Sequence, residues 1–228
     1  MQVKDRLSYQ ALERFVLAQK PDLWLPMRYM SGVAFITRDA YGHAGTKVGA
    51  VPTTNGYYFD GSNDRLVITC PKLNYTSGDF SIMARINPSN LTGYHDPIIR
   101  GLESGPAQGE GWEMRIRDSV GVRFDTFQNN AIQTSNGGAN ILSVGKGWTV
   151  GIDRIGASVR CIINGRDVTS TAGTHIDPTT SARTAKIGIR EDETSYPFAG
   201  LLVDLVVYGQ AMGQLSHLAY HELMEEIA

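Results

Sequence analysis

"SGDFSIMARINP", residues 77–88, sets how the rest of the chain is read. Phe80, Ile82, Ala84 and Ile86 fall on one face of an extended strand, and Ser81, Met83, Arg85 and Asn87 on the other. That period of two is the strand signal. Working outward, the same alternation returns in "GWEMRIR" (111–117), where Trp112, Met114 and Ile116 oppose Glu113, Arg115 and Arg117. "VGVRFDTF" (120–127), "GWTVGIDRI" (147–155), "SVRCIING" (158–165), "TAKIGIR" (184–190) and "GLLVDLVVYG" (200–209) continue the series. Turn signals separate them: Asn87-Pro88, Gly105-Pro106, Asn136-Gly137-Gly138, Asn164-Gly165 and Asp177-Pro178. "RCIINGRDVT" reads as a hairpin, because Asn-Gly tolerates the positive φ angles of a two-residue turn.

Helical spacing is confined to the two ends. Residues 5–20 place Leu12, Phe15 and Val16 on one face, and Pro21 stops the run. "GQLSHLAYHELMEEIA" (213–228) places Leu215, Leu218, Ala219 and Leu223 together, with His217 and His221 expected on the wet face. The prediction is an all-β fold, an antiparallel two-sheet sandwich with a short N-terminal helix and a C-terminal helix. It divides into a helical docking segment (1–22), the sandwich (23–211) and the closing helix (212–228), with no linker or repeat between them.

Bulk properties narrow the function. The chain has 228 residues, 42% hydrophobic, with 25 glycines, enough for one large β domain rich in turns. A formal net charge of -2 with no concentrated basic face argues against nucleic acid. No apolar run has the roughly 18–20 residues that span a bilayer, and the polar start "MQVKDRLSYQALERFVLAQK" has no signal-peptide core, so cytoplasmic synthesis without membrane insertion is expected. Cys70 and Cys161 both sit in strand-like segments and read as buried free thiols.

Four pieces in order resemble the laminin-G-like branch of the concanavalin A-like lectin/glucanase jelly rolls. "LWLPMRYMSG" (23–32) is similar to the family's aromatic opening strand. "RDAYGHAGT" (38–46) resembles its Asp-x-Ser-Gly loop, with Tyr41 in place of the serine. "YYFDGSNDRLVI" (57–68) with "SGDFSIMARINP" resembles its Phe-Asp-Gly turn and following strand, with Arg85 where tryptophan is usual. "FAGLLVDLVVYGQAMGQLSHL" (198–218) resembles its closing strand and helix. A helix such as "YQALERFVLAQKP" (9–21) before the tryptophan strand resembles the subset found in structural proteins of tailed bacteriophages. That resemblance implies a non-enzymatic structural or adhesion protein on the virion surface, a decoration or fibre component. Its partners would be capsid or tail proteins, cell-surface glycans, and copies of itself. The alternative is a free-standing lectin module; a glycoside hydrolase is more remote.

The hydrolase reading fails on spacing. Retaining glycosidases need two carboxyl groups about 5 Å apart, which the family's hydrolases carry as Glu-x-Asp-x-x-Glu on one strand face. Here Glu113 and Asp118 differ by an odd number and face opposite ways, and "REDET" (190–194) reads as a solvated charge run in a loop. His217 and His221 lack the rest of a zinc motif. No catalytic residue is assigned.

Binding chemistry gathers in three places. Sugar recognition needs aromatic faces and planar polar groups, supplied by Tyr94, His95 and Asp96 in "LTGYHDP" and by Phe127, Gln128, Asn129 and Asn130 in a long polar loop, "TFQNNAIQTSNGGAN". No cofactor is required, but calcium, which laminin-G and pentraxin relatives hold at a rim, has candidate ligands in Asp39, Asn63 and Asp64. Asp60 is expected to cap the "DGSND" turn instead.

Overall fold

A computed structural model describes residues 3–102, 109–128 and 131–227. Among these residues two helices flank seventeen strands. In chain order they are α1 (Val3–Ala18), β1 (Leu23–Leu25), β2 (Ala34–Ile36), β3 (Ala44–Val48), β4 (Val51–Thr53), β5 (Gly56–Asp60), β6 (Arg65–Ile68), β7 (Phe80–Pro88), β8 (His95–Leu102), β9 (Glu110–Arg117), β10 (Gly121–Gln128), β11 (Ala131–Gly137), β12 (Trp148–Ile155), β13 (Ser158–Ile163), β14 (Arg166–Asp167), β15 (Thr169–Thr171), β16 (Ala185–Ile187), β17 (Ala199–Tyr208) and α2 (Gly213–Ile227). Every strand predicted from alternation is present.

One sheet runs β14-β13-β12-β7-β17-β5-β4, with β1 added against β17. The other runs β15-β11-β10-β9-β8-β16-β6-β3-β2. All pairings are antiparallel; neighbours such as β7 and β17 are far apart in sequence, the mark of a jelly roll. The inner faces interlock through residues that alternation points inward, among them Phe59, Phe80, Ile82, Trp112, Met114, Phe124, Ile152 and Leu205. Cys70 and Cys161 are buried free thiols, packing as small apolar groups in this core.

The outer faces differ. On the β7–β17 sheet, α1 and α2 cover a second cluster built from Leu12, Val16, Trp24, Met83, Val206, Tyr208, Tyr220, Met224 and Ile227. Met83 therefore belongs to an apolar layer although the strand pattern places it opposite Phe80. Arg85, standing where the resembled family has tryptophan, lies under α2 and donates from Nη1 to Glu225 Oε1 at 2.5 Å. A charged side chain fits there because a helix carboxylate meets it.

Three expectations are corrected. α2 buries His217, Tyr220, Met224 and Ile227, while Leu215 is 82% exposed. His217 is drawn inward because its Nε2 lies 3.3 Å from the buried Asp153 carboxylate, so it is not on a wet face. The polar stretch after Phe127 is not a long loop. Gln128 pairs with Ala131 and residues 131–137 form β11, stabilised by main-chain bonds and by a bond between the buried Ser135 hydroxyl and His175. The acids of "REDET" are a solvated loop run only in part: Asp192 is exposed and accepts from Thr194 N and Ser195 N, while Glu191 and Glu193 pair with Lys186 and Glu191 is largely withdrawn from solvent.

The Asn164-Gly165 hairpin is as predicted, with φ of 49° and 72°. No helix among the described residues is long and apolar enough to cross a membrane.

Candidate functional site

With helices covering one sheet, the open outer face is that of β8, β9 and β10. Alternation fixes what it carries: Glu113, Arg115 and Arg117 from β9, and Arg123 and Asp125 from β10. Register sets them side by side, Glu113 opposite Asp125 and Arg115 opposite Arg123. The pairing of β8 shifts between His95 and Ile98, so Asp96 sits in an irregularity that leaves its carboxylate beside Arg115.

Arg115 is the hub. Its Nε lies 3.3 Å from Asp96 and its Nη1 3.5 Å from Asp125, and it also contacts Glu113. All three carboxylates are fully buried. Burial, reinforced by Asp96, pushes Glu113 well above the ordinary carboxylate range. Burial pushes Asp96 up to about 7, against the lowering pull of Arg115. Burial disfavours the charge on Arg115, yet the acids hold its guanidinium above its usual value.

Two half-buried tyrosines roof this cluster. The rings of Tyr94 and Tyr196 meet edge to face at 5.8 Å. Arg115 lies 4.7 Å from the Tyr196 ring, and Arg117 and Arg123 each 5.2 Å from the Tyr94 ring. Arg123 grips Asp125 with Nε and donates to Tyr94 Oη at 3.1 Å. What reaches solvent is tyrosine ring, the Arg117 side chain, which is 39% exposed, and part of Arg123.

Of the sugar candidates whose side chains the structure describes, Tyr94, His95, Asp96 and Phe127, Tyr94 alone is placed to meet a ligand. His95 is buried, donating from Nδ1 to Pro197 O at 2.6 Å, and Asp96 belongs to the buried hub. Phe127 is fully buried, and a side chain at Gly109 would come within 2.8 Å of its Cβ, so it offers no exposed ring. Gln128 continues β10, and Asn129 and Asn130 lie outside the described residues.

The calcium candidates fall in two separate turns. Asp39 accepts from Trp24 N, Tyr41 N and Gly42 N at 3.0–3.1 Å. Asp64 accepts from Asp60 N at 2.9 Å, and Asn63 is exposed beside it. Asp60 caps its turn by accepting from Ser62 N. Among the described residues no three His, Cys, Asp or Glu side chains gather as a metal site.

Sequence reasoning missed Glu113, Asp125, Arg115 and Tyr196 as a group. The available signal was that the outward positions of two successive strands are charged; the search for acids ran along single strands, whereas these meet across a pair.

A family model for this architecture matches residues 60–215. The chain belongs to the concanavalin A-like lectin/glucanases superfamily. No curated protein sequence matches it. Solved structures of this superfamily member's fold include the Trypanosoma rangeli sialidase in complex with sialic acid, 13% identical with a TM-score of 0.67, covering 98% of this chain and 38% of that one. The botulinum neurotoxin serotype D ligand binding domain in complex with N-acetylneuraminic acid is 14% identical with a TM-score of 0.69, covering 93% and 52%. The serotype G binding domain is 14% identical with a TM-score of 0.67, covering 90% and 51%. The chain thus spans about half or less of these proteins' length, and what they share with it is the fold.

Proposed function

We propose that this lectin-fold chain is a non-enzymatic adhesion domain that holds a glycan at the Tyr94–Tyr196 face, as a decoration or fibre component of a bacteriophage surface. One observation carries the non-enzymatic part: the three carboxylates that come closest to a hydrolase arrangement are fully buried and bound to Arg115. A general acid or nucleophile must touch its substrate, and here the tyrosine roof lies between. The same roof presents two half-exposed tyrosine rings and a guanidinium, the chemistry of sugar stacking and hydroxyl recognition. The serotype D toxin domain, about half of which shares this fold, is a ligand binding domain in complex with N-acetylneuraminic acid, which supports glycan as the ligand class. The virion role is supported by the phage-type helix resemblance at residues 9–21.

The test is a broad glycan array probed with the purified protein, with calcium and then with a chelator. Specific binding is expected, about tenfold weaker in Tyr94→Ala, which removes one stacking ring. Silence across the array overturns the glycan reading. Loss on chelation assigns calcium to the Asp39 and Asp64 turns; survival returns them to architecture.

A further inference from the structure

A separate cavity lies away from the Tyr94 face. A cleft of about 580 Å³ opens at a rim of the sandwich where α2 passes the β13–β14 hairpin, lined by Trp148, Asn164, Arg166, Leu218, His221 and Glu222 among others. That volume falls within the roughly 300–1,000 Å³ of small-ligand sites. We propose that this cleft is a second saccharide site, seating one pyranose ring against the Trp148 indole with its hydroxyls shared between Arg166, Asn164 and Glu222.

The pattern of charge selects the ligand. Neither Arg166 nor Glu222 forms an ion pair with any described residue, although both line the same space. A carboxylate ligand would suit Arg166 and be repelled by Glu222; an ammonium would meet the reverse. A sugar hydroxyl both donates and accepts, so a polyol satisfies the two at once. Asn164 adds a donor: its Oδ1 is taken by Thr149 N at 3.0 Å, which leaves the amide NH₂. His221 Nδ1 is buried with no hydrogen-bond partner, and burial lowers its pKa, so at neutral pH the ring is uncharged.

The apolar part fits the C–H face of a pyranose. Trp24 and Trp112 are fully buried, so Trp148 is the one half-exposed indole of the three. Its Nε1 donates to Ser143 O at 3.0 Å, which pins the ring by its edge. Ile141 and Leu218 continue the apolar wall. The walls are preset: Gly165 has φ of 72°, and a Cβ there would lie 2.4 Å from Leu218 Cα, so the hairpin is pressed directly onto α2. A preformed cleft loses little ordering entropy on binding.

This site stands independently of the Tyr94 face, with which it shares no residue. A protein holding sugars at both would gain avidity on a glycan-coated surface. The experiment is a tryptophan-fluorescence titration of the full chain with the methyl glycosides of glucose, galactose, mannose and N-acetylglucosamine. At least one is expected to shift the emission saturably, since Trp148 is the indole within reach. Arg166→Ala and Glu222→Gln should each weaken that binding about tenfold, the loss of one charge-assisted bond, with unchanged circular dichroism; Tyr94→Ala should leave it unaltered. No shift with any of the four sugars, or a titration indifferent to both cleft variants, overturns the proposal. A titration lost only in Tyr94→Ala overturns it too and assigns the sugar to the Tyr94 face.

Discussion

Asp204 shows how much one residue can carry. It lies on β17 beneath both helices, fully buried in its carboxyl, and accepts from Trp24 Nε1 at 3.0 Å and Tyr220 Oη at 2.8 Å. Burial raises its pKa to about 7, although those two bonds pull it down. The native protein therefore keeps a proton that the unfolded chain releases near pH 4. Its contribution to stability is largest below that pH and falls as pH rises from about 4 to about 7. Asp96, also raised to about 7, acts with the same sign. Asp204→Asn preserves the shape and removes the charge. Urea unfolding should find the variant gaining on the natural protein between pH 5 and pH 8, by about 3 kcal/mol, the two pH units below the Asp204 pKa at roughly 1.4 kcal/mol each. An equal loss at both pH values would sink this account.

At the scale of the element, α2 is held by its first turn. Asp153 of β12 accepts from Gly213 N at 2.8 Å, Met212 N at 3.2 Å and His217 Nε2 at 3.3 Å, and it also bonds the Ser81 hydroxyl. A carboxylate at a helix N-terminus satisfies orphan N–H groups and meets the positive end of the helix dipole. Burial raises the Asp153 pKa, but the bonds from His217, Ser81 and Met212 outweigh it and hold the group below its ordinary value. Its stabilisation is thus present above pH 4 and lost as pH falls further, opposite in sign to Asp204. Asp153→Ala should cost about 3 kcal/mol at pH 7, the usual loss on breaking a buried charged network. The gap from the natural protein should narrow toward pH 3, checked by denaturant unfolding with far-ultraviolet circular dichroism.

For the whole molecule, the asymmetry of the two outer faces matters most. Helices seal one, and the other is left to charge and tyrosine. The N-terminal segment read as a docking element places Leu12 and Val16 on its own sheet, against the cluster of Trp24, Val206 and Tyr220. Removing residues 1–20 should uncover that cluster and forfeit about 1.5–3 kcal/mol for each of the two side chains. A lowered melting temperature with new binding of a hydrophobic dye is expected; an unchanged melting temperature would mean α1 contributes nothing to the fold. Loss of docking in such a truncation is therefore informative only beside a stability measurement.

The sandwich class, the strands, the Asn164-Gly165 hairpin, the buried thiols and the Asp60 cap were all legible in the sequence, because each depends on residues a few positions apart. Periodicity reports which way a side chain points. It does not report what lies there, and so Tyr94 was found while the burial of Asp96 and Phe127 was not. Pairing across distance belongs to the tertiary structure. Trp24 meets Asp204 180 residues away, and His217 meets Asp153 64 residues away, turning a helix face inward against its own leucine pattern. Strand register likewise joins Glu113 to Asp125 around Arg115. Those contacts follow from which strands become neighbours, a choice made by the core as a whole, and they decide which carboxylates are sealed and which surface is left to bind.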